Sequence, residues 1–192
     1  MDQNDGTVKD EDRLRLLEEK IGQLKAKVES RPVIEDRFFD NPVFSDFRVK
    51  VGQRTFHVTK YHLARASPVF ERMFLSCFKE ATDGILQLQD DPEAVEFVLK
   101  YMYMKTRVEN FEMAREVVVI AHRYEMNDLV DECELVLFEN VCLENARETF
   151  LLANDFDLKL LLVKCGGILY YGFDIGGLEN CLPEQNVADP EQ

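Results

Sequence analysis

The stretch that most restricts this chain is short. Phe47, Val49 and Val51 alternate with Arg48 and Lys50, the period-two pattern of a strand with one buried face. Gly52-Gln53 supplies a turn and Thr55 to Thr59 returns, so the pattern predicts a β-hairpin. Almost everything after it reads as helix. A helical stretch runs from Lys60 to Phe74 and is cut in two at Ser67-Pro68, with Ser67 as cap and Pro68 in the first turn. Ile85, Leu86 and Leu88 form a third short strand. Asp90-Asp91-Pro92-Glu93 then opens a helix whose inner face is Val95, Val98, Leu99 and Met102. Two more helices are expected near Glu112–Tyr124 and Asp128–Val141.

The flanks read differently. Residues 1–11 are polar and expected to be disordered. Over 12–31, Leu14, Leu17, Ile21, Leu24 and Val28 recur at the a and d positions of just over two heptads. Either an amphipathic helix lying on its own domain or a short coiled coil between two chains satisfies that spacing. The flanking charges do not choose, since Arg13 faces Glu18 but Lys20 faces Lys25. Residues 32–43, with Pro42 and several aromatics, read as a linker. Residues 142–172 read as a helical extension, a hairpin of Leu143–Asn154 and Leu158–Tyr171 with Gly166-Gly167 interrupting its second helix; 173–192 read as an acidic tail.

Charge narrows the function classes. Lys and Arg total 23 against 37 Asp and Glu, a formal net charge of −14. Nucleic-acid binding needs basic surface, so no nucleic-acid partner is expected. No apolar run approaches the roughly 20 residues of a membrane helix, and the N-terminus has no signal-peptide core. No membrane partner is expected, and the location expected is cytoplasm or nucleus. Cys77, Cys133, Cys142, Cys165 and Cys181 are odd in number and scattered, which points to reduced thiols. His57, His62 and His122 have no nucleophile or carboxylate in a catalytic order beside them, and no metal-ligand spacing occurs. Gly166-Gly167 lacks the Lys-Ser/Thr of a phosphate loop. The chain is expected to be no enzyme, with no cofactor and no metal.

The middle of the chain, 44–141, resembles a BTB/POZ domain. Ser45-Asp46-Phe47-Arg48-Val49, Gly52, Phe56, Lys60 with Leu63, Ser67-Pro68-Val69-Phe70, Met73-Phe74, Asp91-Pro92-Glu93-Ala94-Val95, Tyr101-Met102-Tyr103 and Ala121-His122-Arg123-Tyr124 follow the family's order. Two departures are Thr59, where the family has His, and Met104-Lys105, where it has Thr-Gly. The resemblance implies an α+β fold: a short three-stranded sheet flanked by a cluster of helices, here with an N-terminal helix and a C-terminal helical hairpin. Burial of Phe56, Leu63, Phe70, Phe74, Val98 and Leu99 agrees with such a cluster.

The resemblance also implies partners. Asp46 and Lys60 fall where the family keeps a charged pocket at a homodimer interface; the bland alternative is an exposed pair worth under about 1 kcal/mol. Leu63, Ala66 and Phe70 would help form the dimer face or serve as core of their own subunit. Phe78-Lys79-Glu80 matches the hydrophobic-x-Glu motif of cullin-3-binding relatives, in the loop before the third strand. Phe78 would enter a groove on the cullin-3 N-terminal domain, Glu80 would shape the loop by hydrogen bonding, and Tyr103 would add an aromatic to that surface. The hairpin at 142–172 resembles the start of the extension found in cullin adaptors. The expected function is thus a homodimeric substrate adaptor or scaffold for a cullin-3 ubiquitin ligase with an unknown client protein. The alternative is a dimerising scaffold without cullin binding, including one in transcriptional control. The 192 residues contain no kelch repeat, substrate-binding sandwich domain or zinc finger to name a client.

Overall fold

A computed structural model describes residues 5–29, 38–76 and 78–171. The elements run α1 (Asp5–Glu29), β1 (Phe47–Val51), β2 (Arg54–Val58), α2 (Lys60–Ala66), α3 (Pro68–Leu75), α4 (Lys79–Asp83), β3 (Ile85–Leu88), α5 (Pro92–Met104), α6 (Phe111–Arg123), α7 (Asn127–Asn140), α8 (Ala146–Asp155) and α9 (Lys159–Tyr171). The sheet order is β2-β1-β3. β1 pairs antiparallel with β2, Phe47 opposite Val58, and parallel with β3, Arg48 opposite Ile85. Gly52, first of the two hairpin turn residues, has φ +54, a backbone that glycine adopts without strain.

Local chemistry sets the helix starts. The Ser67 hydroxyl accepts from the Phe70 N–H at 3.2 Å and donates to the Tyr124 carbonyl at 2.6 Å, so one buried oxygen begins α3 and ties it to the end of α6. Asp91 accepts from the Glu93 and Ala94 N–H groups, each at 2.9 Å, and Asn110 from Met113 at 2.8 Å. The alternating face of β1 supplies Phe47, Val49 and Val51 to a core that also buries Leu63, Phe70, Val98, Leu99, Val117 and Ala121.

The chain divides into two compact units, 1–137 and 138–192, the division falling inside α7. In the second, α8 and α9 pack on each other. Lys164 is buried there, its Nζ donating to the Phe138 carbonyl at 2.7 Å and lying 4.7 Å from the Phe138 ring. A cation at the last turn of α7 complements the negative end of the helix dipole.

Several expectations change. Residues 5–11 are helical, so α1 starts well before 12; no proline interrupts this polar stretch, and Gly6 sits in the first turn. Residues 38–43 are packed against the first unit: the Phe39 ring lies 6.4 Å from Phe56 and 5.4 Å from Tyr103, and Asp40 accepts from the His57 N–H at 2.8 Å. Gly166-Gly167 does not interrupt α9. Each glycine costs only about 1 kcal/mol relative to alanine, and burial of Leu161, Cys165 and Ile168 on either side outweighs that. The acidic tail expected at 173–192, Gly172, residues 1–4, 30–37 and Cys77 lie outside the described residues.

Candidate protein-interaction site

Phe78 is 56% exposed and stands as the N-cap residue of α4. Its carbonyl accepts from the Thr82 N–H at 3.2 Å and the Thr82 hydroxyl at 3.3 Å. The segment was expected to be a loop; it is one helical turn. Gly84 closes that turn in the left-handed region, φ +67, with its N–H on the Glu80 carbonyl at 3.0 Å, and its own carbonyl accepts from Arg48 in β1 at 3.0 Å. Lys60 braces the same turn. Its Nζ donates to the Ala81 carbonyl at 3.1 Å and lies 5.6 and 5.9 Å from the Phe74 and Phe47 rings. A large apolar side chain is therefore presented to solvent on a braced turn. Leu75, 82% exposed at the end of α3, is three residues away in the chain. Sequence reading missed it because it continues an ordinary helical pattern.

Glu80 shapes the turn by other means than expected. Its backbone carbonyl does so, while its half-buried carboxylate makes no hydrogen bond among the described residues.

Asp46 and Lys60 are brought together, but not as an ion pair. The exposed Asp46 carboxylate accepts from the Lys60 backbone N–H at 2.8 Å and so caps α2, while the Lys60 ammonium turns to Ala81. Leu63 is 0% and Phe70 2% exposed; both are core of their own chain, and only Ala66 of that trio is half-buried. Helix α2, which carries Leu63, packs on α3 and α5, and Phe70 stacks on Tyr124, the residue that closes α6, with centroids 4.4 Å apart.

Tyr103 also differs. It is 7% exposed, and its hydroxyl accepts from the Thr59 N–H at 2.6 Å, with the Thr59 hydroxyl at 3.1 Å. Its ring lies 4.0 Å from His62. A residue so enclosed offers no surface to a partner. It holds the β2–α2 corner, and Thr59 joins it there in the position of the family's His.

Burial pushes the thiols of Cys133 and Cys165 up, Cys165 to about 11, which keeps both protonated at neutral pH. Among the described residues no group of three or more His, Cys, Asp or Glu converges as a metal site. No helix among them is long and apolar enough to cross a membrane.

A sequence profile of the BTB/POZ domain matches residues 36–140, more than half of the 192. The chain belongs to the BTB/POZ domain family. BTB proteins are protein-interaction modules, and the exposed Phe78 turn belongs to the BTB portion of this chain. Armadillo BTB Arabidopsis protein 1 of Arabidopsis thaliana is 26% identical over 131 residues, 68% of this chain and 18% of that protein. BTB and MATH domain-containing protein 15 of Caenorhabditis elegans is 31% identical over 123 residues, 64% of this chain and 44% of that protein. The chain thus spans less than half the length of either relative. The BTB domain of zebrafish PATZ1 aligns with a TM-score of 0.45 at 22% identity, covering 62% of this chain and 88% of that one.

Proposed function

We propose that this BTB protein is a homodimeric adaptor or scaffold for a cullin-3 ubiquitin ligase. The observation that carries the reading is Phe78, a phenylalanine 56% exposed on a braced turn, with Glu80 two residues on. A ring held in water by a short helix gains its burial on binding. The mechanism is positional: one surface holds the cullin N-terminal domain, another a client, and ubiquitin transfer becomes effectively intramolecular. Tyr103 is no part of this surface; the exposed Leu75 takes its place in the proposal.

Homodimerisation is the second half of the proposal. Leu63 and Phe70 leave it, being buried. The apolar side chains available are Phe38, Val43 and Phe44, exposed ahead of β1, and the half-buried stripe Leu17, Ile21, Leu24 and Val28 on α1. The Leu14 side chain lies outside the described residues.

Calorimetry with the cullin-3 N-terminal domain tests the adaptor. Phe78→Ala should weaken binding by about thirtyfold, the equivalent of about 2 kcal/mol, with an unchanged circular dichroism spectrum. Lys79→Ala, at the middle position, should do little. Absence of binding by the wild type would leave the dimerising scaffold without cullin; equal binding by Phe78→Ala would move the contact elsewhere.

A further inference from the structure

Helix α1 carries Leu17, Ile21, Leu24 and Val28 at successive d and a positions along one face. We infer that this stripe is the contact face of an antiparallel two-stranded coiled coil, made with α1 of a second copy of this chain. Leu17 of one copy then lies opposite Val28 of the other, and Ile21 opposite Leu24. The inference rests on the homodimer reading above and gives it a surface and a direction.

The first support is how the stripe sits in its own chain. An amphipathic helix lying on its own domain turns its apolar face into the core. None of these four side chains is buried: all are half-buried, and Leu16 beside them is 54% exposed. Among the described residues α1 takes no part in the close packing that joins α2 to α3 and α5, α5 to α6, and α8 to α9. Charge ties its last turn to α7, where Lys27 meets Asp128 at 3.0 Å and Asp131 at 2.9 Å. Helices take most of their stability from packing an apolar face, so the stripe calls for a further partner.

The second support is that the stripe fits itself. Its spacings are four, three and four residues, so it reads the same in both directions about a point midway between Gly22 and Gln23. An antiparallel copy therefore aligns all four side chains at once. A two-fold contact between identical chains needs a patch that is complementary to itself in this way.

Charge chooses the direction. In this register Glu18 and Lys25 stand at e, and Lys20 and Lys27 at g. A parallel pair sets g against e. Lys20 then meets Lys25 on both sides, and the pairing of Arg13 with Glu18 only offsets that repulsion. An antiparallel pair sets e against e and g against g. Glu18 then meets Lys25 of the other copy, an attraction made twice. Lys20 meets Lys27, a repulsion damped by the two carboxylates already on Lys27. Glu18, Lys20, Lys25 and Lys27 are all exposed, so the sign of the local charge decides, and no lysine has to be otherwise unpaired.

The test uses the full chain. An equal mixture of ordinary and heavy-nitrogen protein is treated with a carbodiimide, which joins carboxylates to amines in contact. Mass spectrometry should find a Glu18–Lys25 cross-link that carries one peptide of each isotope. Lys25→Glu should weaken the dimer about tenfold, read by dilution in sedimentation, because it turns both attractions into repulsions. Glu18→Lys combined with Lys25→Glu should restore the dimer to within about twofold. A tighter dimer with Lys25→Glu would overturn the inference in favour of a parallel pair. A wild-type dimer that gives no mixed-isotope cross-link at Glu18 would remove α1 from the interface and leave the homodimer reading standing. A wild-type monomer at about 50 μM would end both.

Discussion

Ser67 is 0% exposed and its hydroxyl works twice, as cap for α3 and as donor to the Tyr124 carbonyl. Ser67→Ala orphans both partners and should lower stability by about 1–2 kcal/mol. A urea unfolding midpoint equal to wild type would refute that account. Beside it, burial pushes the Tyr124 hydroxyl from 10.0 up to about 12. The raised value means the folded state holds the proton more tightly. Its contribution is whole below pH 10 and is lost as pH climbs from 10 to 12. Unfolding free energy should therefore fall over that window, and Tyr124→Phe should flatten the slope. The sequence showed the capping serine but not the carbonyl that accepts its hydrogen bond, since 57 residues separate the two. Asp46 teaches the same lesson. Its place beside Lys60 was legible, but its partner is a backbone N–H rather than the ammonium. Asp46→Asn keeps an acceptor there and should cost less than about 1 kcal/mol, whereas a buried ion pair would cost several.

Elements were easier to foresee than their interruptions. The hairpin, the break at Ser67-Pro68 and the start of α5 all rest on residues that act within a few positions, and each appears where the sequence put it. The one-turn α4 was missed because five residues carry no periodicity. Gly166-Gly167 misled for the opposite reason: a local penalty was read without the burial that offsets it. Nothing lies within 4 Å of a Cβ built on Gly166, and α9 runs through it. Gly166→Ala should thus stabilise the chain by about 0.5–1 kcal/mol, read as a higher denaturation midpoint. A lower midpoint would mean that close packing at Gly166, not backbone freedom, governs the position. On α1 the heptad stripe was legible, but not that the helix reaches back to Asp5 or that Lys27 meets Asp128 and Asp131 at 3.0 and 2.9 Å.

At the scale of the molecule, those Lys27 pairs are exposed and contribute little to stability. Removing residues 1–31 should leave a cooperatively folding protein within about 1 kcal/mol of the full chain. If α1 pairs between copies, light scattering should show weaker self-association of the shortened protein. A deletion that fails to fold would make α1 part of the core. The sequence by itself determined the family, the α+β class and the order of the elements other than α4, because alternation, caps and breakers are local and the ordered matches span the domain. Tertiary structure decided which side chains face water. Phe78 and Phe70 are the same residue type in neighbouring elements, yet one is 56% exposed and the other 2%. That difference depends on what packs over each ring, the stacked Tyr124 in the case of Phe70, and it arises only when segments distant in sequence meet.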